Sequence, residues 1–291
     1  MAETSHGSGL RDLADAVVVM AFGGWSDAAN VATDTVNHLA QMYGAEIRFA
    51  IDPGDYYDFQ VSRPRVEKSA TGQRVISWPT TEVLIAPLQG RDLVLIRGPE
   101  PNFHWPDFVK EFASAIVSMD PHLVVVLGAM LGSVPHTRPI PVALSSDDPG
   151  LRGTYGAEPP TYEGRTGMQG IMAHALGALR LPVASLWATC PQYVPMGPNP
   201  KAVLALLTRL EEFYDAPLLL GDLEARAEEW ESRISDAIEH SAPIADYIHH
   251  LEEASDESPE GFTGDAIAAE FQRYLRQQGN RWNDTDRNSL S

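Results

Sequence analysis

Through the first two hundred residues, short apolar runs alternate with stretches whose apolar positions recur at helical spacing. The runs "AVVVMAF" (16–22), "AEIRFAI" (45–51), "DLVLIRG" (92–98), "HLVVVLGAM" (122–130) and "LPVASLWAT" (181–189) are nearly continuous and rich in β-branched residues. Such runs mark strands buried on both faces of a parallel sheet. "EVLIAPL" (82–88) predicts another strand, antiparallel to its neighbour across the short "QGRD" turn. After Asp27, the residues Ala28, Val31, Ala32, Val36, Leu39 and Ala40 line one helical face, and 106–118 and 168–179 repeat the pattern. The alternation predicts an α/β fold, a mostly parallel sheet with helices on both faces.

Two stretches break the alternation, 52–74 and 133–167. Both are long, rich in Gly and Pro, and dotted with aromatic and charged residues. They read as long loops of the kind that carry function. From about Pro198 the pattern is helical only, with charged outer faces, and Trp230, Ile234, Ile238, Ile244, Tyr247 and Leu251 are the residues expected to pack inward. "SDESPEGFTG" reads as a linker, "GDAIAAEFQRYLRQQ" as a further helix, and the polar end as a frayed tail. The expected domains are a flexible start at 1–15, an α/β domain at 16–215, an acidic helical appendage at 216–278 and a tail at 279–291.

The bend "FGGWSDAAN" (22–30) joins the first strand to the first helix. "GWSDA" approaches the Gly-x-Ser-x-Gly elbow of hydrolases, but with Ala28 in the last place and on the first strand rather than a later one. None of His104, His122, His136 and His174 stands in an evident triad context. As a phosphate cradle the stretch has Gly23, Gly24 and a helix N-terminus, but neither the Gly-x-Gly-x-x-Gly spacing nor a following lysine. The structural reading is a tight turn in which Ser26 or Asp27 caps the helix, accepting from an amide two or three residues on. That leaves Trp25 over, a large aromatic at the sheet edge where open α/β folds bind ligands.

Charge changes the picture at one end of the chain. The net is −19, and residues 211–260 hold 16 acidic side chains against Arg226 and Arg233, a net of −14, leaving −5 for the rest. An excess of this sign repels phosphate backbones and anionic membranes, so neither nucleic acid nor membrane is an expected partner. One cysteine, Cys190, excludes an internal disulfide and a multi-cysteine metal cluster, and it reads as an inert buried thiol. His249 and His250 point about 100° apart on a helix, which leaves no metal site expected. No secretory signal or membrane-length apolar run is visible, so the cytoplasm is the expected compartment.

"AFGGWSDAANVA", "YDFQVSRPRV", "GPEPNFHWPDF", "VPHTRP", "TYEGRTGMQGI" and "SLWATCPQYV" resemble, in this order, the PAC2 family of proteasome assembly chaperones over roughly 16–215. The pattern is most similar to actinobacterial members, which carry extra C-terminal helices. The resemblance implies an α/β fold similar to purine nucleoside phosphorylases, a non-enzymatic assembly or binding role, no cofactor, and proteasome subunits as partners. Relatives that dock on the proteasome end in a hydrophobic residue, a tyrosine and one more; this chain ends "RNSLS", so that docking mode is not carried over. The helices appended to a complete domain imply a homo-oligomer, a trimer among the arrangements open to it.

The alternative is an enzyme for a nucleoside or phosphate ligand. Its site would gather Trp25, Ser26, Asp27, Glu100, His136, Arg138, Tyr162, Glu163 and Arg165, with His104, Trp105, Thr137 and Trp187 nearby. Arginines suit a phosphate, aromatics a stacked base, and a carboxylate such as Glu163 ribose hydroxyls. Each residue also has a plain structural role open to it. Arg138 can pair with Asp147 or Glu100, Trp187 can be core, and Gly164 and Gly167 can supply positive φ to a turn. No catalytic residue is assigned.

Overall fold

The computed structural model describes residues 13–257 apart from 70, 195, 215, 240 and 241. In chain order its elements are β1 (Val17–Gly23), α1 (Val31–Met42), β2 (Glu46–Ala50), β3 (Arg65–Lys68), β4 (Arg74–Ser77), β5 (Glu82–Leu88), β6 (Arg91–Pro99), α2 (Trp105–Ser118), β7 (Leu123–Gly132), β8 (Val142–Ser145), α3 (Pro149–Tyr155), α4 (Met168–Ala178), β9 (Val183–Pro191), α5 (Pro200–Tyr214), α6 (Leu223–Glu239) and α7 (Ala242–Glu257). Seven strands form one mixed sheet in the order β2-β5-β6-β1-β7-β9-β8, while β3 and β4 pair separately. The fold is the expected α/β class.

The chain divides into two units. The first comprises the described residues up to Asp27, then Ala32–Gly128 and Thr166–Ser185; the second comprises Ala28–Val31, Ala129–Arg165 and the described residues from Leu186 on.

In the first unit β1 is central. It runs parallel to β6 and, over Val17–Met20, to β7. All six residues Val17–Phe22 are buried, as their unbroken apolarity requires. Val18, Met20 and Phe22 share a core with Phe108, Phe112 and Ile116 of α2 and Met168, Met172 and Leu176 of α4. β5 and β6 form the expected antiparallel pair, with Leu88 opposite Arg91 across Gln89 and Gly90. Both turn residues have positive φ (51° and 88°), the requirement of a two-residue hairpin. Gly98 lies against the chain before β5: a Cβ there would come within 2.7 Å of Thr81 Cα and 2.8 Å of the Thr80 carbonyl oxygen, so no larger residue fits.

Two expectations fail here. β2 is no doubly buried parallel strand; it ends the sheet, antiparallel to β5, with Glu46, Ile47, Arg48 and Ala50 exposed. Its alternating charges Glu46 and Arg48, 3.2 Å apart, need water on one face, a signal the short apolar run masks. Nor are the two long loops without structure. The first holds β3, and the second holds β8 and α3. Asp148 caps α3 by accepting from the Leu151 amide (2.9 Å), Pro149 follows at its first position, and Gly156 closes it at φ 66°. Those residues punctuate a short helix rather than a loop.

In the second unit β8 is extended by a bridge from Ser145 to Glu158. α5 buries Ala202, Val203, Leu206, Leu207, Leu210 and Phe213. On α6 Trp230 is buried as expected; on α7 Ile248 is the buried residue and Ile244 is 43% exposed, while Tyr247, 38% exposed, still turns inward, its ring edge-on to Tyr193 and its hydroxyl accepting from Gln192 (2.6 Å). Among the described residues no helix is long and apolar enough to cross a membrane. The linker after α7, the helix expected at 264–278 and the tail lie outside the described residues.

Candidate functional site

The bend after β1 is built around Asp27. Its side chain caps α1, but not two or three residues on: Oδ1 accepts from the Ala32 amide (2.7 Å) and the Thr33 amide (3.4 Å), and Oδ2 from the Thr33 hydroxyl (2.5 Å). The added reach comes from a single 3₁₀ turn, Ala28–Asn30, in which Ala29 and Asn30 have positive φ. Burial pushes the Asp27 carboxyl up to about 6, against the hydrogen bonds from Thr33 and Ala32.

Ser26 takes no part in the cap. Its hydroxyl is buried, and among the described residues it has no hydrogen-bond partner; the same holds for Gln169 Oε1. Gln169 itself is anchored through Nε2, which donates to the Phe22 carbonyl (2.7 Å). Glu100 Oε1 accepts from the Met168 amide (2.6 Å) at the start of α4, which holds a carboxylate at the positive end of that helix. Burial still leaves the Glu100 carboxyl above its ordinary range. These groups close on Gly167, where a Cβ would lie 2.5 Å from Ser26 Oγ, 2.8 Å from Glu100 Oε1 and 3.3 Å from Gln169 Oε1. Gly167 has φ −92°, and no positive φ occurs at Gly164 either. Space, not a left-handed turn, explains Gly167. The exposed Trp25 precedes this cluster.

Because its hydroxyl makes no hydrogen bond among the described residues, Ser26→Ala is expected to leave stability within about 1 kcal/mol of the parent in urea denaturation. A loss above about 2 kcal/mol would show that the hydroxyl is held in solution.

The second unit holds a separate polar cluster around "VPHTRP". The His136 amide donates to Tyr193 Oη (2.7 Å), and the same oxygen lies 2.8 Å from His136 Nδ1. His136 Nε2 lies 3.0 Å from Ser235 Oγ on α6, so each ring nitrogen has a hydroxyl partner. Burial lowers the affinity of His136 for a second proton; nearby Glu231 and Glu252 oppose this and Lys201 adds to it. Lys201 Nζ donates to the His136 carbonyl (2.6 Å) and to Glu231 Oε2 (2.5 Å).

Arg138 does not pair with Asp147 or Glu100. Its Nε and one terminal nitrogen donate to the two Asp256 oxygens, each at 2.7 Å, and Glu252 lies 3.7 Å away and accepts from Thr137. α6 and α7 thus hold this loop, and every polar side chain from His136 to Arg138 is engaged by the chain itself.

The other expected site residues sit elsewhere in the second unit. Tyr162 donates to the Arg165 carbonyl (2.8 Å), and with half-buried Trp187 it packs on Met130 and Ala143. Glu163 and Arg165 are exposed. In the first unit His104 starts α2 in the left-handed region, and Trp105 Nε1 donates to the Pro101 carbonyl (2.7 Å). Cys190 is buried. Sequence reasoning missed Gln169 and Tyr193, although both stand inside stretches it had singled out; Lys201, Ser235, Glu252 and Asp256 gave no local signal, because their partners lie 30 to 118 residues away.

Residues 21–238 match the model of the PAC2 family. A PAC2 family protein from Streptomyces avermitilis is 44% identical, with a TM-score of 0.75, over 80% of this chain and 99% of that one. A proteasome-assembly chaperone homologue from Mycobacterium tuberculosis is 39% identical, with a TM-score of 0.72 and the same coverage. An archaeal proteasome activator from Pyrococcus furiosus shares the fold at 16% identity and a TM-score of 0.59, over 78% of this chain and 94% of that one. No curated protein matches the chain.

Proposed function

The chain belongs to the PAC2 family, and from that membership we propose that it is a non-catalytic assembly protein whose partners are proteasome subunits. We infer further that it works in the cytoplasm as a homo-oligomer, with a phosphorylase-like α/β fold serving as scaffold rather than as a reaction site. One observation carries the reading. The loop most suited to bind an anionic substrate has its arginine occupied by Asp256 and Glu252 of the same chain. An arginine held in a two-pronged pair within its own chain is not open to a substrate anion, and it fixes the loop as structure. The 39% identical relative named for proteasome assembly, matched over 99% of its length, supports the choice of partner.

Crosslinked affinity capture of the full chain from its native cytoplasm tests the proposal. Proteasome α-subunits are expected in stoichiometric yield. A preparation holding only the chain itself would overturn the assembly role.

A further inference from the structure

The hairpin of β3 and β4 stands apart from the core of its unit. Two four-residue strands form it, and all eight residues are exposed; a lone two-stranded hairpin of this size is marginal. Its register sets Val66 opposite Ile76 and Lys68 opposite Arg74. Side chains alternate along each strand, so these four share one face. Val66 and Ile76, 59% and 60% exposed, make an apolar pair beside two like charges directly across from each other, an unfavourable juxtaposition. The flanks add to both properties. Val61 and Trp78 are exposed, and residues 61–78 carry Arg63, Arg65, Lys68 and Arg74 against Glu67 alone, a net of +3 in a chain of net −19. Among the described residues none of these four cations has an ion-pair partner.

The surface that would satisfy this face is apolar and acidic. α7 has that chemistry: it carries Asp246, Glu252, Glu253, Asp256 and Glu257 and no lysine or arginine. Arg138 engages Glu252 and Asp256. Asp246, Glu253 and Glu257 recur at spacings of seven and four on the outer face; Tyr247 flanks them, its hydroxyl accepting from Gln192 and its ring meeting Tyr193 with the rest of its surface open. Among the described residues Asp246 and Glu257 have no ion-pair partner, and Glu253 has only His249, at 3.6 Å.

We propose that the basic, apolar face of the β3–β4 hairpin docks on the outer face of α7 of a second copy of this chain. The contact is head-to-tail, two different surfaces meeting, so repeated contacts generate a ring where the rotation closes. It rests on the homo-oligomer reading above and names its interface. Burial of Val66 and Ile76 against Tyr247 supplies the apolar part, and the carboxylates relieve the Lys68–Arg74 repulsion.

Sedimentation velocity of the full chain tests it with three variants. Lys68→Glu with Arg74→Glu reverses the hairpin, Asp246→Lys with Glu253→Lys and Glu257→Lys reverses the helix, and the third chain combines both sets. Each single reversal is expected to weaken self-association at least about tenfold, and the combined chain to restore it. Far-UV circular dichroism checks that each variant keeps its fold, and Ile76→Ser, which leaves charge alone, is expected to weaken assembly as well. An oligomer that survives the hairpin reversal would overturn this interface and leave the oligomer reading standing. Dissociation that the combined chain does not repair would overturn α7 as the acceptor. A monomeric parent would overturn both; retention of a labelled oligonucleotide or a proteasome α-subunit by its hairpin would then name another occupant.

Discussion

Replacing Phe108 with alanine is expected to destabilise the first unit by about 3–5 kcal/mol, the usual cost of emptying a large aromatic site in a core. Phe108 is fully buried on α2, and its ring meets three others: Phe112 at 4.7 Å, Tyr56 at 5.3 Å and Phe22 at 5.9 Å between centroids. The Phe22 and Tyr56 contacts are edge-on, the geometry that adds to simple area burial. These neighbours come from three separate stretches, so the cavity has no single element that could move in to fill it. The effect also reaches the site. The Tyr56 carbonyl accepts from the Asn102 and Phe103 amides, at 2.8 and 3.1 Å, and so fixes the loop that delivers Glu100 to α4. Urea denaturation followed by circular dichroism reads the loss, and where the two units unfold separately it falls on the transition of the first unit. Phe108→Leu, which keeps most of the volume, should retain most of the stability. A loss below about 1 kcal/mol for the alanine variant would mean that the aromatic cluster is not packed as described.

What could be read in the sequence and what could not divide along a physical line. Strands inside the sheet announce themselves through unbroken apolarity, because both faces must be buried; β1, β6 and β7 follow within a residue or two of expectation. β2 deceived, since five residues with one bulge are too few to distinguish an exposed edge from a buried strand. Within the bend, Gly23, Gly24 and Asp27 carry the turn, but the reach of the cap depended on Ala29 and Asn30 adopting positive φ, which neither residue type announces. The pairing of Arg138 was out of reach for a different reason. Its partner lies 118 positions along, and only the fold of the second unit makes them neighbours.

Between pH 4 and 7 the parent is expected to lose about 3 kcal/mol of stability relative to Asp27→Asn, and the sign follows from the burial of one carboxyl. The Asp27 side chain is 5% exposed, and its affinity for a proton rises from an ordinary value of 3.8 to about 6 on folding, chiefly because burial penalises the charge. The unfolded chain therefore releases this proton near pH 4, while the folded protein keeps it until about 6. Across that window the folded state holds more protons, and stability falls as pH rises. The contribution is complete below about 4 and gone above about 6; a gap of about two pH units corresponds to about 3 kcal/mol. Asparagine keeps an oxygen for the Ala32 amide and offers N–H groups to the Thr33 hydroxyl, so it preserves the cap without the titration. The two stability curves should thus converge near pH 4 and separate by pH 7, with the asparagine variant the more stable. Urea midpoints taken at half-unit steps of pH decide it, and parallel curves would sink the assignment. The native protein keeps a carboxylate here at neutral pH although a neutral isostere would be more stable.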